Sequence, residues 1–236
     1  MRAVLCVALA ALALAACKPA PKTEVTTTDA AVAPASTAMP PAGEPATGLF
    51  TGTLPCADCP GIETRVQLRP DGRFLLHEQF TGRRGAATAS DFGRWEEAEG
   101  RVTLHGKGQP RTFLRAGADR LRPAEAADAA FGLARDTRSP GFLQPVSLHG
   151  AFTYLADGAS LRDCLTGLVR PVAMSADYLA LEREYLASRT APGAALGVQV
   201  EVTLEMQPAM EGEGQTESWV VRRFVTALPG AACPAA

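Results

Sequence analysis

Alternation of apolar and polar residues in the first half of the chain predicts short β-strands joined by tight turns. In residues 62–68, IETRVQL, the side chains alternate with a period of two, as in a half-buried strand. RPDG at 69–72 supplies turn residues, and 73–80 returns as the partner strand. Further strands are predicted in DFGRWEEA, RVTLHG, RTFLRA and DRLRP. Antiparallel meanders of this kind close into a small barrel or sandwich, so we predict one β domain over residues 48–140.

Residues 176–189, ADYLALEREYLASR, carry the one clear helical pattern of the second half. Ser175 or Asp177 precedes the apolar run and is of a type that caps helices. One helix face is predicted to collect the side chains of Tyr178, Leu179, Leu181, Tyr185 and Leu186. Glu182 lies within this apolar stripe, where a carboxylate that reaches solvent or pairs with an arginine is favoured over one that transfers protons.

Strand patterns flank this helix on both sides. Two or three short strands are predicted between 147 and 174, and two long ones at 196–206 and 218–225. A few twisted strands with one inserted helix are typical of an OB-like barrel. The sequence therefore predicts a mainly β protein whose second domain, OB-like, covers residues 141–236.

The first seventeen residues, MRAVLCVALAALALAAC, have the layout of a secretory signal peptide. Their apolar run is shorter than the about 20 residues of a membrane-spanning helix. The last four resemble the bacterial lipobox, which implies a signal peptide over residues 1–16 and a lipid anchor on Cys17. A cleaved signal with a chance cysteine is the alternative. Because Lys18 and not Asp follows Cys17, the resemblance implies the outer membrane, facing the periplasm.

Composition changes abruptly after the predicted signal. Residues 17–47 consist mainly of Pro, Ala and Thr, which predicts a disordered tether behind the lipidated cysteine. The formal net charge is −2 and no Lys/Arg run is dense, so nucleic acid is not an expected partner. Neither a Ser-His-Asp order, nor paired carboxylates in an apolar setting, nor a nucleotide loop is found, so we do not expect an enzyme.

The six cysteines indicate a disulfide framework. One leaves with the signal peptide and Cys17 is lipidated, and in an oxidising compartment the remaining four are expected to pair. Of the three connectivities, Cys56 with Cys59 and Cys164 with Cys233 keeps each bond inside one predicted domain. The second bond closes a loop of about 70 residues, which fits a structural role.

Cys56 and Cys59 are three residues apart and are followed by Pro60, Gly61 and a strand. Catalytic dithiols of the thioredoxin type sit where a helix begins, which argues against an oxidoreductase. A zinc site needs two more ligands, and the chain has only three histidines and no second close cysteine pair. Two interpretations stay open: a Cu(I) site, because Cu(I) prefers soft thiolates, and a small oxidised ring that stabilises the loop.

Further copper ligands are only weakly indicated. Met206 and Met210 are four residues apart, and thioethers bind Cu(I), but packing is the favoured role of methionine at this spacing. His77 lies on the strand that follows the turn and is expected to face solvent.

Residues 48–80, GLFTGTLPCADCPGIETRVQLRPDGRFLLHEQF, closely resemble the N-terminal domain of the NlpE family of copper-resistance and envelope-stress lipoproteins. The matching features are the block around the CxxC, the alternating strand, the D-G turn and the second strand. This resemblance implies a lipocalin-like β-barrel whose Cys56 and Cys59 bind copper or register redox state. Beyond residue 140 the resemblance is looser and implies an OB-like domain with its own disulfide, here Cys164 and Cys233.

The resemblance also implies a function. We expect an outer-membrane-anchored periplasmic lipoprotein in copper homeostasis and envelope stress sensing, without a catalysed reaction. Cu(I) is the implied cofactor, and the sensor kinase of a Cpx-type two-component pathway is the implied partner. The alternative is a lipocalin-like binding module that holds a small apolar ligand in its barrel.

Overall fold

Eight antiparallel strands close into a barrel in chain order, which confirms the predicted N-terminal fold. The computed structural model describes residues 45–82, 87–125, 131–156, 158–209, 212–228 and 232–233. Cys17, the predicted signal peptide and most of the predicted tether lie outside these residues. The barrel strands are β1 (Gly48–Leu54), β2 (Ile62–Leu68), β3 (Arg73–Phe80), β4 (Ala87–Ala98), β5 (Arg101–His105), β6 (Arg111–Arg115), β7 (Arg120–Pro123) and β8 (Leu133–Arg135).

The period-two pattern of β2 gives the barrel its inward face. Thr64, Val66 and Leu68 are buried, whereas Glu63, on the opposite face of the strand, is exposed. The predicted turn closes with a hydrogen bond from Gly72 N to Arg69 O of 3.1 Å. The interior is filled by buried side chains of Phe50, Leu54, Val66, Leu68, Phe74, Leu76, Val102, Leu104, Phe113, Leu121 and Leu133.

Two barrel strands were not among the predicted elements. The three residues of β8 are too few to show a periodicity, and β1 contains two glycines and two threonines that blur its apolar pattern. Gly52 lies where these strands close the barrel, because a Cβ built there would stand 2.3 Å from the carbonyl oxygen of Gly132. The absence of a side chain at residue 52 therefore permits the closure.

A five-stranded antiparallel sheet with one helix follows, in agreement with the predicted OB-like architecture. The sheet order is β11-β10-β9-β12-β13. A bridge between Val172 and Trp219 brings the end of β11 beside β13, so the sheet curls towards closure. The elements are β9 (Val146–Leu155), β10 (Gly158–Asp163), β11 (Val169–Pro171), α1 (Tyr178–Ser188), β12 (Leu196–Pro208) and β13 (Gln215–Leu228).

The helix α1 lies within the predicted range but buries a narrower face than expected. Tyr178, Leu181 and Tyr185 are buried, whereas Leu179 and Leu186 are exposed. The exposed pair lies about 100° round the helix from the buried stripe, on a flank that the described part of the chain leaves uncovered. Asp177 stands at the N-cap, where its backbone carbonyl accepts from Ala180 N at 3.1 Å. Its carboxylate makes no cap bond to the helix and instead accepts a 2.6 Å hydrogen bond from Phe224 N of β13. Among the described residues no helix is long and apolar enough to cross a bilayer.

The outer face of the barrel is not uniformly polar. Leu49, Leu75 and Phe92 are buried on the outside of β1, β3 and β4, in one apolar cluster with β9 and β13. Phe92 meets Trp219 of β13 edge-to-face, with ring centroids 5.5 Å apart. Trp219 also donates a hydrogen bond from Nε1 to Leu161 O at 3.2 Å. The barrel and the C-terminal sheet therefore share one hydrophobic core.

Polar contacts surround this shared core. Glu217 of β13 accepts from Arg69 of the barrel at 2.7 Å and from Arg170 of β11 at 3.1 Å. On another side, Ser147 N at the start of β9 donates to Ser90 Oγ of β4 at 3.0 Å. These contacts fix the rotation of one sheet over the other, which apolar packing alone does not specify.

The connection between the barrel and β9 begins at Asp136, whose side chain binds the residues that follow it. Asp136 accepts hydrogen bonds from Arg138 N at 2.9 Å, Ser139 N at 3.1 Å and Ser139 Oγ at 2.6 Å. The bonds from Ser139 and Arg138 lower the pKa of Asp136 to about 2, because they stabilise its ionised form.

Replacing Phe92 by Ala should weaken the whole fold and not the barrel alone. Truncation of a buried phenylalanine is expected to lower the free energy of unfolding by about 3 kcal/mol, and part of this loss falls on the C-terminal sheet. Urea unfolding followed by Trp fluorescence and by far-UV circular dichroism measures it. Leu179→Ala, on the exposed flank of α1, is the control and should change stability by less than about 0.5 kcal/mol. Equal effects of the two substitutions would contradict the shared core.

Asp136→Asn should destabilise the protein at neutral pH but not in acid. The carboxylate pKa is lower in the folded state, about 2 against a reference of 3.8, so its charge stabilises the fold above pH 3.8. That contribution is lost as the pH falls towards 2. Melting temperatures of wild type and variant, measured from pH 7 down to pH 2, should therefore converge at the acid end. A constant difference across this range would show that the charge has no role.

Candidate functional site

The CxxC motif lies in the loop of residues 55–61 that joins β1 to β2 at one end of the barrel. Cys56 and Cys59 form a disulfide with their Cα atoms 5.3 Å apart. Both cysteines are partly exposed, and the flanking Pro55 and the intervening Asp58 are exposed. No helix begins here, since β2 follows directly, so the helix N-terminus that activates thioredoxin-type dithiols is missing from this motif.

The loop rests on the end of β3. Thr81 donates two hydrogen bonds to the carbonyl oxygen of Gly61, from its backbone N at 3.0 Å and from Oγ1 at 2.8 Å. Sequence reasoning missed Thr81, because the contact joins residues 20 positions apart and depends on the β2–β3 register. The Ile62–Phe80 pairing at the end of that hairpin is the signal that would have placed Thr81 beside Gly61.

An ion pair between a buried carboxylate and an exposed arginine lies at the same end of the barrel. Glu78 is 3% exposed and faces inward from β3, two pairs below the last pair of the β2–β3 ladder, and it pairs with Arg111 of β6. Burying a carboxylate is costly unless it is paired and hydrogen-bonded, and Arg111 supplies that partner to Glu78. In the sequence, Glu78 can be recognised as a polar residue at the inward position that follows Phe74 and Leu76.

The other residues considered as metal ligands are not grouped with the cysteine pair. His77 is half-buried on the outer face of β3, and burial together with the nearby Arg65 lowers its pKa, so it is neutral at pH 7. Met206 is exposed on β12 of the C-terminal sheet, and Met210 lies outside the described residues. Within the described ranges, no three or more His, Cys, Asp or Glu side chains lie together as a metal site.

The second disulfide joins Cys164, just after β10, to Cys233 near the end of the chain, with a sequence separation of 69. Cys164 N donates to His149 O at 2.9 Å, which holds this end against β9. The preceding Asp163 is buried and accepts from Thr166 N at 2.6 Å and Thr166 Oγ1 at 2.7 Å. Burial raises the pKa of Asp163 despite these bonds. The Cys164–Cys233 disulfide thus ties the segment around Cys233 to the sheet of the second domain.

Glu182 is explained by its neighbours on α1. Its carboxylate accepts a hydrogen bond of 3.5 Å from the hydroxyl of Tyr178, one helical turn earlier. Burial, and then the charge of Glu182, raises the pKa of Tyr178 to about 12. The phenol therefore stays protonated and serves as a donor to the carboxylate, which fits a structural role for the pair.

Fold and site together define a two-domain β protein: an eight-stranded barrel that carries a CxxC disulfide, followed by an OB-type domain with a disulfide of its own. Residues 50–128 match the family model of the NlpE N-terminal domain, and residues 142–234 match that of the NlpE C-terminal OB domain. The chain is 32% identical over 167 residues to Lipoprotein NlpE of Escherichia coli (strain K12), covering 67% of this chain and 70% of that protein. The chain belongs to the NlpE family.

Two solved structures are also similar. The crystal structure of the Cpx pathway activator NlpE from Escherichia coli shares 26% sequence identity and covers 76% of this chain and 95% of its own, with a TM-score of 0.35. The crystal structure of a lipoprotein from Shewanella oneidensis shares 22% sequence identity with a TM-score of 0.33, and the match covers 39% of this chain and 90% of that protein's chain. The assignment to the family rests on the sequence matches.

Removing the two disulfides should have unequal effects on stability. The chain-entropy model gives about 4 kcal/mol for the loop closed by Cys164 and Cys233, and about 2 kcal/mol for the short ring of Cys56 and Cys59. We therefore expect the double serine variant of the long loop to lose roughly twice as much unfolding free energy in urea. If the double serine variant of the short ring were the less stable one, its contribution would have to come from more than loop closure.

Proposed function

We propose that this protein is an outer-membrane-anchored lipoprotein, facing the periplasm, that acts in copper homeostasis and envelope stress sensing. Its Cys56–Cys59 pair would bind Cu(I) after reduction, or report redox or folding state to a Cpx-type two-component pathway. The observation that carries this proposal is a close cysteine pair on an accessible loop of the barrel, in a member of the NlpE family.

The donor set of the loop fits Cu(I) better than harder metals. Two thiolates from one short loop are soft ligands, and Cu(I) accepts low coordination numbers. Zinc would require about two more nitrogen, sulfur or oxygen ligands, and no cluster of three or more such side chains occurs in the described part of the chain. Cys56 and Cys59 are therefore the residues that would hold the ion.

Binding would require that the disulfide first be opened. Two electrons and two protons from a thiol or dithiol reductant convert Cys56–Cys59 into two thiols, while the reductant becomes a disulfide. The thiols lose their protons as they become metal ligands, so copper affinity rises with pH. The exposed flanks of the loop leave room for such a reductant to approach.

The anchor and the partner are proposed on other grounds. Cys17, followed by Lys18, would carry the lipid in the outer membrane, and the segment to residue 47 would span the gap to the barrel. A matching relative is named a lipoprotein, and a similar solved structure is described as a Cpx pathway activator. We extend both properties to this chain, with a Cpx-type sensor kinase as the partner and no catalysed reaction.

The binding-module alternative is less well supported. A lipocalin-like site needs space inside the barrel, but Phe50, Leu68 and Phe74 in the interior are at most 1% exposed. Because an open cavity beside these side chains would expose them, the described interior leaves no room for a small apolar ligand next to them.

Cu(I) titration against a chromophoric chelator tests the copper proposal, using the soluble chain from Lys18 onward with and without prior reduction. We expect tight 1:1 binding after reduction, because both thiolates are then free, and its loss in Cys56→Ser. Met206→Leu is the matched control and should bind like wild type. A reduced protein that cannot compete with the chelator would leave the pair as a structural or redox ring.

A further inference from the structure

The carbonyl oxygen of Gly61 is the point at which the CxxC loop is held. It accepts two hydrogen bonds from Thr81, at 3.0 Å from the backbone N and at 2.8 Å from Oγ1. The Sγ atom of Cys59 lies 3.3 Å from the same oxygen. Thr81, in the turn that follows β3, therefore fixes the backbone that carries Cys59.

A steric contact reinforces this attachment. Gly82 adopts a φ of +73°, and a Cβ built there would stand 2.9 Å from Cδ of Pro60, so the turn lies directly against the loop. Gly61 is itself buried, and a Cβ there would meet the Thr53 methyl at 2.6 Å. Both glycines allow a close approach that any larger residue would prevent. The arm of residues 59–61 is thus seated on Thr81 and Gly82 without help from the disulfide.

The other arm of the loop is held by the β1–β2 ladder, whose last pair is Leu54 with Ile62. With both ends of the loop fixed, breaking the sulfur–sulfur bond frees only the residues between them. The two thiols then remain at high effective concentration, as in any preorganised pair. This arrangement favours reclosure of the disulfide and equally favours capture of one soft ion by both sulfurs.

We propose that Thr81 is a positioning residue for the Cys56–Cys59 dithiol, and that its hydroxyl bond to Gly61 sets how readily the pair forms either a disulfide or a metal chelate. The metal part of this inference rests on the proposed function, whereas the disulfide part stands without it. Thr81 touches no reacting atom and acts through the Gly61 carbonyl and the loop backbone.

The reduction potential of the Cys56–Cys59 pair tests the inference. Full-length protein in detergent is equilibrated in glutathione buffers, alkylated and digested, so that mass spectrometry reads each cysteine pair separately. Thr81→Val keeps the β-branched shape and the backbone N–H but removes the hydroxyl bond. We expect the equilibrium constant for disulfide formation to fall about threefold, which raises the potential by roughly 15 mV.

Two controls separate positioning from general loosening of the barrel. Thr81→Ser retains the hydroxyl and should keep the wild-type potential. Thr103→Val removes a hydroxyl contact of 3.4 Å to Thr112 on another hairpin of the same barrel and should also leave the potential unchanged. A wild-type potential in Thr81→Val, or an equal shift in Thr103→Val, would overturn the inference.

Copper binding by the same variants distinguishes this inference from the proposed function. If wild type binds Cu(I), the affinity of Thr81→Val should fall by a similar factor of about three. If reduced wild type binds no Cu(I) while the potential of Thr81→Val still shifts, the copper proposal fails and the positioning role of Thr81 stands.

Discussion

The structure depends on one row of side chains on the outside of the barrel. Strand register places Leu49, Gln67, Leu75 and Phe92 side by side across β1 to β4, and three of these four are apolar. Leaving such side chains in water would forgo about 1.5–3 kcal/mol each, so this face of the barrel requires a cover. The C-terminal sheet supplies this cover with Trp219, and the outer face of the barrel is consequently part of the core of the second domain.

The CxxC loop lies apart from that core. The loop joins β1 to β2 at one end of the barrel, whereas the shared core lies on the side of the barrel. The neighbours of the loop are Thr81 and Gly82. The Cys164–Cys233 bond differs in kind, since it fastens the chain end to the sheet that covers the barrel. The short ring therefore constrains a loop, and the long one constrains a domain.

Sequence reasoning found the elements whose signals are local. The alternation in residues 62–68, the turn at 69–72 and the helix near 178–188 each follow from spacing within one segment. It could not find which outer faces are covered, because residues 74–76, Phe-Leu-Leu, read as a continuous apolar run whether or not a second sheet lies outside. The same limitation explains the wrong assignment of Leu179 and Leu186, whose flank of α1 is not covered by any of the described elements.

The candidate site was found by a motif, but its surroundings were not, and the reason is again distance along the chain. A cysteine pair three residues apart is visible in any sequence, whereas Glu78 with Arg111 and Thr81 with Gly61 are brought together by the barrel. These contacts place a buried carboxylate with its arginine partner, and a backbone anchor, at the barrel end that carries the accessible loop. The contacts of Thr81 with Gly61 attach the loop to the end of β3 without passing through the two sulfur atoms. Loss of the shared core would instead expose Phe92 and Trp219, which lie on the side of the barrel and apart from this loop.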